Sequence, residues 1–258
     1  MPKAPINGIE LYYEVHGEGP VIVFAHGAGG NHMSWWQQVP VFQRDYRCVT
    51  FDHRGFGQSH DLPDGPGRNA YVADLVALLD HLGAAECFLV AQSMGGLTGF
   101  GLALAQPHRV KALVMADTVV GIPSQALFAE RRRLVEQGTA ATGHAYHPSL
   151  WQRDPAKAVL YEQIRALNPP QESNEERRRR ALLEAATEDG DLRSFSVPTF
   201  FLFGAEDSQI PASLGRMAQQ IVPGSRYVEV AGCGHSVYFE RPEEFNRIVA
   251  GFFAEVGA

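Results

Sequence analysis

The stretch Cys87–Gly96 constrains the fold of this chain more than any other. Its first half, Cys87-Phe88-Leu89-Val90-Ala91, is an apolar run of the length and composition of a buried strand. It breaks at Gln92-Ser93-Met94-Gly95-Gly96 and resumes as a helical pattern from Leu97 to Gln106. A strand that turns this sharply into a helix strains the residue at the turn and pushes its side chain into the open. Only small residues fit two places before and two places after it, and Ala91 and Gly95 stand there. The residue presented is Ser93. The helix that follows aims its first backbone N–H groups at any negative charge forming beside the hydroxyl.

Five residues alone also fit a strand followed by a glycine-rich turn. Three further strand ends decide between the two readings. His26-Gly27-Ala28-Gly29-Gly30 follows the strand-like Val21–Ala25, and its glycines let a backbone N–H approach a substrate oxygen. Phe200-Phe201-Leu202-Phe203-Gly204-Ala205-Glu206-Asp207 is again strand then turn, with Pro211 beyond it. Val228-Glu229-Val230-Ala231-Gly232-Cys233-Gly234-His235 brings a histidine out on a glycine-flanked turn. Ser, Asp and His thus come in chain order, each at the C-terminal edge of a predicted strand.

That order and those contexts resemble the α/β-hydrolase superfamily. The resemblance runs from about Ile9 to Phe253 and includes Asp52-His53-Arg54-Gly55-Phe56-Gly57-Gln58-Ser59, which looks like the superfamily's D-x-R-G-x-G-x-S loop. Ala91 stands where many members carry glycine, and both are small enough for the turn. The resemblance implies an α/β fold with a mostly parallel central sheet, helices on both faces and a helical cap inserted after the sixth strand.

The periodicity agrees with this. Strand signals at Glu10–Val15, Val21–Ala25, Arg47–Phe51, Cys87–Ala91, Lys111–Ala116, Thr199–Phe203 and Arg226–Val230 alternate with helix signals. The helix signals are Trp35–Gln43, Ala70–Leu82, Met94–Gln106, Pro211–Ile221 and Pro242–Val256. Such alternation predicts a parallel sheet covered on both faces, with ligands beyond the C-terminal strand ends. The interval 121–196 breaks the pattern. It shows helical candidates only, at Ser124–Glu136, Pro155–Ala166 and Glu175–Thr187. By resemblance this interval is the cap, and 1–120 with 197–258 is the core domain. The runs Arg131–Arg133 and Arg177–Arg180 read as solvated helix faces, the second flanked by Glu175, Glu176 and Glu184.

Composition bounds the function classes. With 258 residues the chain can bury a sizeable single core, and a formal net charge of −7 gives no reason to expect nucleic acid or an anionic membrane as partner. The three cysteines, Cys48, Cys87 and Cys233, are scattered and form no metal-binding spacing. The N-terminal Met1-Pro2-Lys3-Ala4-Pro5 has no apolar signal core, and no run reaches membrane-spanning length. The expectation is a cytoplasmic protein with reduced cysteines.

The chemistry follows from what an ester needs. A serine hydroxyl is a poor nucleophile near neutral pH, so a neutral imidazole must take its proton as it attacks. His235 is the candidate base, and Asp207 the anion that orients it. The tetrahedral oxyanion needs two preset donors. The backbone N–H of Met94 is one, and by resemblance that of Ala28 is the other. No metal or organic cofactor is required. Glu206 and Asp117 are rival acids, Asp117 because some relatives carry the acid after the sixth strand. His26 and His53 read as structural, His144 and His147 as surface residues of the cap, and Asp52 with Arg54 as a salt-bridged brace.

Candidate substrate contacts are Trp36 after the Gly-rich loop, Phe128, Tyr146 and Trp151 in the cap, and Val237 after His235. Leu127 and Tyr161 are further apolar cap residues. This setting suits a small to medium, largely apolar acyl or aryl compound. The chain resembles the small cofactor-free esterases, 3-oxoadipate enol-lactonases and perhydrolases of the superfamily. This implies a serine hydrolase of a carboxylic ester or lactone. A second reading is hydrolysis of a carbon–carbon bond in a ring-cleavage product. Against it, Ser236 follows the histidine where those enzymes usually carry an aromatic residue. A third is a receptor of the same fold that binds a ligand with negligible turnover.

Overall fold

In the computed structural model, which describes residues 2–141, 145–170, 175 and 189–257, eight strands form one twisted sheet. They are β1 (Lys3–Ile6), β2 (Ile9–His16), β3 (Val21–Ala25), β4 (Arg47–Phe51), β5 (Cys87–Gln92), β6 (Val110–Ala116), β7 (Thr199–Gly204) and β8 (Arg226–Val230). Their order is β1-β2-β4-β3-β5-β6-β7-β8. β1 and β2 pair antiparallel, as do β2 and β4, and every other pairing is parallel.

The central strands are apolar on both sides because both sides are covered. Along β5 every residue is buried. Leu89 and Ala91 face one core cluster, and Phe88 and Val90 face the other. The first cluster takes Leu75, Leu78 and Leu79 from α2 (Tyr71–His81), Phe100 and Leu102 from α3 (Gly95–Ala105), and Leu214 and Ala218 from a helix at Ala212–Ile221. The second takes Phe42 from α1 (Val39–Phe42) and Phe245, Val249, Phe252 and Phe253 from a helix at Pro242–Val256. Each of these Leu, Val and Phe side chains contributes roughly 1.5–3 kcal/mol by leaving water.

Between β6 and β7 the described residues form helices and no strand: α4 (Gln125–Glu136), α5 (Leu150–Arg153) and α6 (Pro155–Ala166). Side-chain caps fix two of their starts. Ser124 Oγ accepts the Leu127 N–H at 3.4 Å, and Asp154 Oδ1 accepts the Lys157 N–H at 3.0 Å, with Pro155 in the first turn. The expected helix at 175–187 lies outside the described residues apart from Glu175, as do His144 and Arg177–Arg180. After this interval come α7 (Ala212–Ile221), the single turn α8 (Val237–Glu240) and α9 (Pro242–Val256). Among the described residues, no helix is long and apolar enough to cross a membrane.

The single turns α5 and α8 were not expected, and two further elements differ from expectation. The strand β1 is additional; it pairs with β2 through a tight turn in which Asn7 and Gly8 have φ of +45° and +84°. The expected helix at 35–43 is instead a 3-10 turn at His32–Trp35 and the short α1. Pro40 is the reason: it has no N–H to give, and its ring would collide with the carbonyl one turn back in a continuous helix.

Candidate active site

The turn between β5 and α3 places Ser93 in the left-handed region, at φ +50°. Its N–H donates to Ala116 O at 3.1 Å, and Thr118 Oγ1 donates to its carbonyl at 2.8 Å, so the neighbouring strand β6 holds the strained turn. The small residues around it are needed. A Cβ on Gly95 would stand 2.3 Å from Ala25 O, and one on Gly99 would stand 2.6 Å from the Ala91 methyl group. Helix α3 can approach β3 and β5 this closely only with glycine at those positions.

Three strand ends converge here. His235 Nε2 lies 2.8 Å from Ser93 Oγ, and His235 Nδ1 lies 2.7 Å from Asp207 Oδ2. A carboxylate only accepts, so Nδ1 carries the proton and the Nε2 lone pair points at the serine hydroxyl. Asp207 Oδ1 accepts the N–H groups of Gln209 at 2.7 Å and Ile210 at 3.0 Å, which fixes the carboxylate. Asp207 and His235 are both buried.

The loop after β3 runs beside this group. A Cβ on Gly27 would meet Gln92 Oε1 at 2.1 Å and Ser93 Cβ at 3.0 Å, so the loop backbone lies against the serine turn. The backbone amides of Ala28 and Met94 donate to no protein acceptor among the described residues. His26 braces the loop: its Nδ1–H donates to Gly27 O at 2.8 Å and its Nε2 accepts the His53 N–H at 2.9 Å. Burial pushes the His26 imidazole down to about 4, which keeps it neutral. His53, also driven well below its usual range by burial, pairs through Nε2 with Thr98 Oγ1 at 2.8 Å.

The rival acids have other partners. Glu206 accepts the N–H groups of Gly232 at 3.2 Å and Cys233 at 2.9 Å. Asp117, fully buried at φ +50°, accepts those of Gly204 at 2.8 Å and Val237 at 3.1 Å. Burial first, and the nearby Asp207 second, hold its carboxyl above the usual carboxylate range. The expected Asp52–Arg54 salt bridge is corrected. Asp52 Oδ1 accepts from His32 N and Nδ1, and its Oδ2 accepts from Gln58 N. Arg54 instead forks onto Asp74 at 2.8 and 2.9 Å and reaches Asp61 at 3.0 Å. The long guanidinium finds its planar bidentate match on α2, leaving the shorter Asp52 to bind the loop amides.

The expected substrate contacts scatter. Trp36 is 44 % exposed and lines a separate concavity of about 650 Å³ with Trp35, Met33, Glu14 and Leu167, whose lining does not include Ser93. Trp151 is 45 % exposed and donates its Nε1–H to Tyr146 Oη at 3.1 Å. Tyr146 is buried and donates to Glu162 Oε1 at 2.9 Å. Val237 is buried in the second core cluster, and Phe128 is half-buried on α4. Tyr161 comes nearer: a methyl group on Gly29 would lie 3.4 Å from its hydroxyl, over the Gly-rich loop. Two residues at the site were missed from sequence. Gln92 Nε2 donates to His235 O at 2.8 Å, and Glu240 accepts the Gly234 N–H at 2.8 Å. Among the described residues, no cluster of three or more His, Cys, Asp and Glu could hold a metal ion.

A family model described as the α/β-hydrolase fold matches residues 20–242. The chain belongs to the α/β-hydrolase family. This α/β hydrolase is 28% identical over 99% of its length, and 99% of the relative's, to a protein of Azorhizobium caulinodans provisionally named carbamate hydrolase RutD. It superposes at a TM-score of 0.77 on a thermophilic esterase from Thermogutta terrifontis, 26% identical, covering 100% of this chain and 98% of that one. The enol-lactonase from Burkholderia xenovorans LB400 matches at a TM-score of 0.76 and 26% identity, over 98% and 100% of the two chains.

Proposed function

We propose that this α/β hydrolase cleaves a carboxylic ester or lactone of a small to medium, largely apolar substrate through an acyl-serine intermediate. The observation that carries the reading is the series Ser93 Oγ, His235 Nε2, His235 Nδ1, Asp207 Oδ2, joined at 2.8 and 2.7 Å beside a strained serine turn. The similarity to an esterase and an enol-lactonase supports the bond type.

Ser93 Oγ attacks the acyl carbon while its proton passes to His235 Nε2, and Asp207 stabilises the imidazolium. The amides of Ala28 and Met94 receive the oxyanion. His235 returns its proton to the leaving alkoxide as the C–O bond breaks. Water then attacks the acyl-serine, giving its proton to His235, and the acid departs as Ser93 regains its hydrogen. We assign 121–196 as the cap domain; among its described residues Tyr161, whose hydroxyl lies by Gly29, is a candidate for substrate contact, and Trp36 lines a separate concavity. Three free, buried cysteines suit a reducing compartment such as the cytoplasm.

The test is turnover of chromogenic esters, lactones, an aryl carbamate and a ring-fission dienoate by wild type and Ser93→Ala. Ester or lactone turnover that vanishes in the variant supports the reading. Activity surviving Ser93→Ala refutes the nucleophile, and activity on the carbamate or dienoate alone refutes the bond type.

A further inference from the structure

We propose that Glu240 is a positioning residue: its carboxylate clamps the turn that carries His235 to the 145–153 segment and so sets the imidazole's aim at Ser93. One oxygen, Oε1, accepts two backbone N–H groups at once, Gly234 at 2.8 Å and His147 at 3.0 Å. The other, Oε2, meets Arg153 Nη2 at 3.3 Å. Gly234 immediately precedes His235, whereas His147 and Arg153 belong to the interval between β6 and β7. A single side chain on the one-turn helix α8 therefore joins two parts of the chain that no strand connects.

The surroundings show why this carboxylate is decisive there. The Glu240 side chain is fully shielded from water and its bond to Gly234 is buried, so the Gly234 amide deprived of it would be left a buried, unpaired donor. The two segments also touch closely: a Cβ on Gly234 would lie 2.7 Å from His147 N and 3.0 Å from Tyr146 C. Ser236 Oγ donates to Ala145 O at 2.6 Å, just beyond the histidine. On its other side the His235 carbonyl is held by Gln92. The histidine turn is thus held from the serine strand by Gln92 and from the Asp207 turn by Glu206, and it is tied to the 145–153 segment by Glu240 and Ser236. Oε1 alone accepts both main-chain donors, a role that any carbonyl-type oxygen held at this place can fill.

The experiment compares Glu240→Ala, Glu240→Gln and Glu240→Asp in the full chain, with folding checked by circular dichroism. Two readouts are taken. The first is amide hydrogen exchange over 232–236 and 145–149. It does not depend on catalysis, so it tests the clamp even where the serine-hydrolase reading fails. The second rests on that reading: the rate at which a small fluorophosphonate labels Ser93, with kcat and KM for an ester. Alanine removes the acceptor, and aspartate withdraws it by one methylene with little loss of packed volume. Glutamine keeps an oxygen for both amides and loses only the Arg153 ion pair.

The expected result is faster exchange in both segments for the Ala and Asp variants. Labelling and kcat should slow by about tenfold to a hundredfold, as displacement of a catalytic group by about 1 Å produces. KM should change less than kcat, and Glu240→Gln should restore most of the rate. Should Glu240→Ala fail to fold, Glu240→Asp answers the same question. A folded Ala or Asp variant with wild-type exchange in both segments overturns the inference. So does a glutamine variant as slow as alanine, because the amide bonds would then not be what matters. A wild type that takes no label, with faster exchange in the variants, overturns the serine reading and leaves the clamp standing.

Discussion

At the residue scale the decisive contrast is between two buried aspartates near one histidine. Asp207 reaches His235 Nδ1 at 2.7 Å, whereas Asp117 spends both oxygens on the amides of Gly204 and Val237. Asp207→Asn should lower kcat by about 10⁴-fold, because an amide NH₂ facing Nδ1 moves the ring proton to Nε2 and removes the base. Asp117→Asn should act on stability instead. Its NH₂ must face one of two N–H donors, and a buried donor left unpaired costs about 1–3 kcal/mol. Kinetics and urea denaturation of both variants separate the roles. A larger kinetic loss in Asp117→Asn would mean that the acid has been misassigned.

At the scale of elements, closeness of backbones decides what each turn can carry. The α3 start lies so near β3 that Gly95→Ala places a methyl group 2.3 Å from Ala25 O and 3.1 Å from His26 O, both main-chain atoms that cannot rotate away. The helix must withdraw, at a cost of roughly 1–3 kcal/mol, and carry the serine turn with it. Gly251 in α9 is the control: it is exposed, with nothing within 4 Å of its notional Cβ. Gly251→Ala should raise stability by about 1 kcal/mol through helix propensity alone. Melting curves and turnover of the two variants give the comparison. The same scale explains what could be read in advance. The strand ends bearing Ser93, Asp207 and His235 were legible, because a strand-turn-residue signature is local and each strand is a continuous apolar run. Asn7-Gly8 also carries a hairpin signal for β1, and Pro40 a helix break. Gln92 and Glu240 were not legible. The partner of Gln92 lies 143 residues away, and of the two amides on Glu240 Gly234 is six residues away but His147 is 93, so nothing local marks a side chain that will join the turn to a distant backbone. The Arg54 partner failed for the same reason: a loop motif names the charges but not which of several acids the fold brings within reach.

At the scale of the whole molecule, the buried acids make stability depend on pH in a direction opposite to that of surface salt bridges. Burial raises the Glu240 carboxyl from 4.5 to about 7, against the opposing pull of the His147 and Gly234 amides and of Arg153 and Arg241. Tyr161 and Cys233 also feel its charge, and both are themselves raised by burial. Between those two values the folded chain keeps a proton that the unfolded chain has released. The stability from this group is therefore fully present below about pH 4.5 and is lost as the pH climbs through about 7. Glu240→Gln carries no such proton, so the other titrations largely cancel in the comparison. Wild type should lose roughly 3 kcal/mol relative to the variant between pH 4.5 and 8, at about 1.4 kcal/mol per unit. Urea denaturation of both proteins at several pH values measures this difference directly. A difference that stays flat would mean that Arg153 and the two amides already compensate for burial. The carboxylate would then be ionised throughout, and the junction between the 145–153 segment and the histidine turn would hold equally at either end of the range.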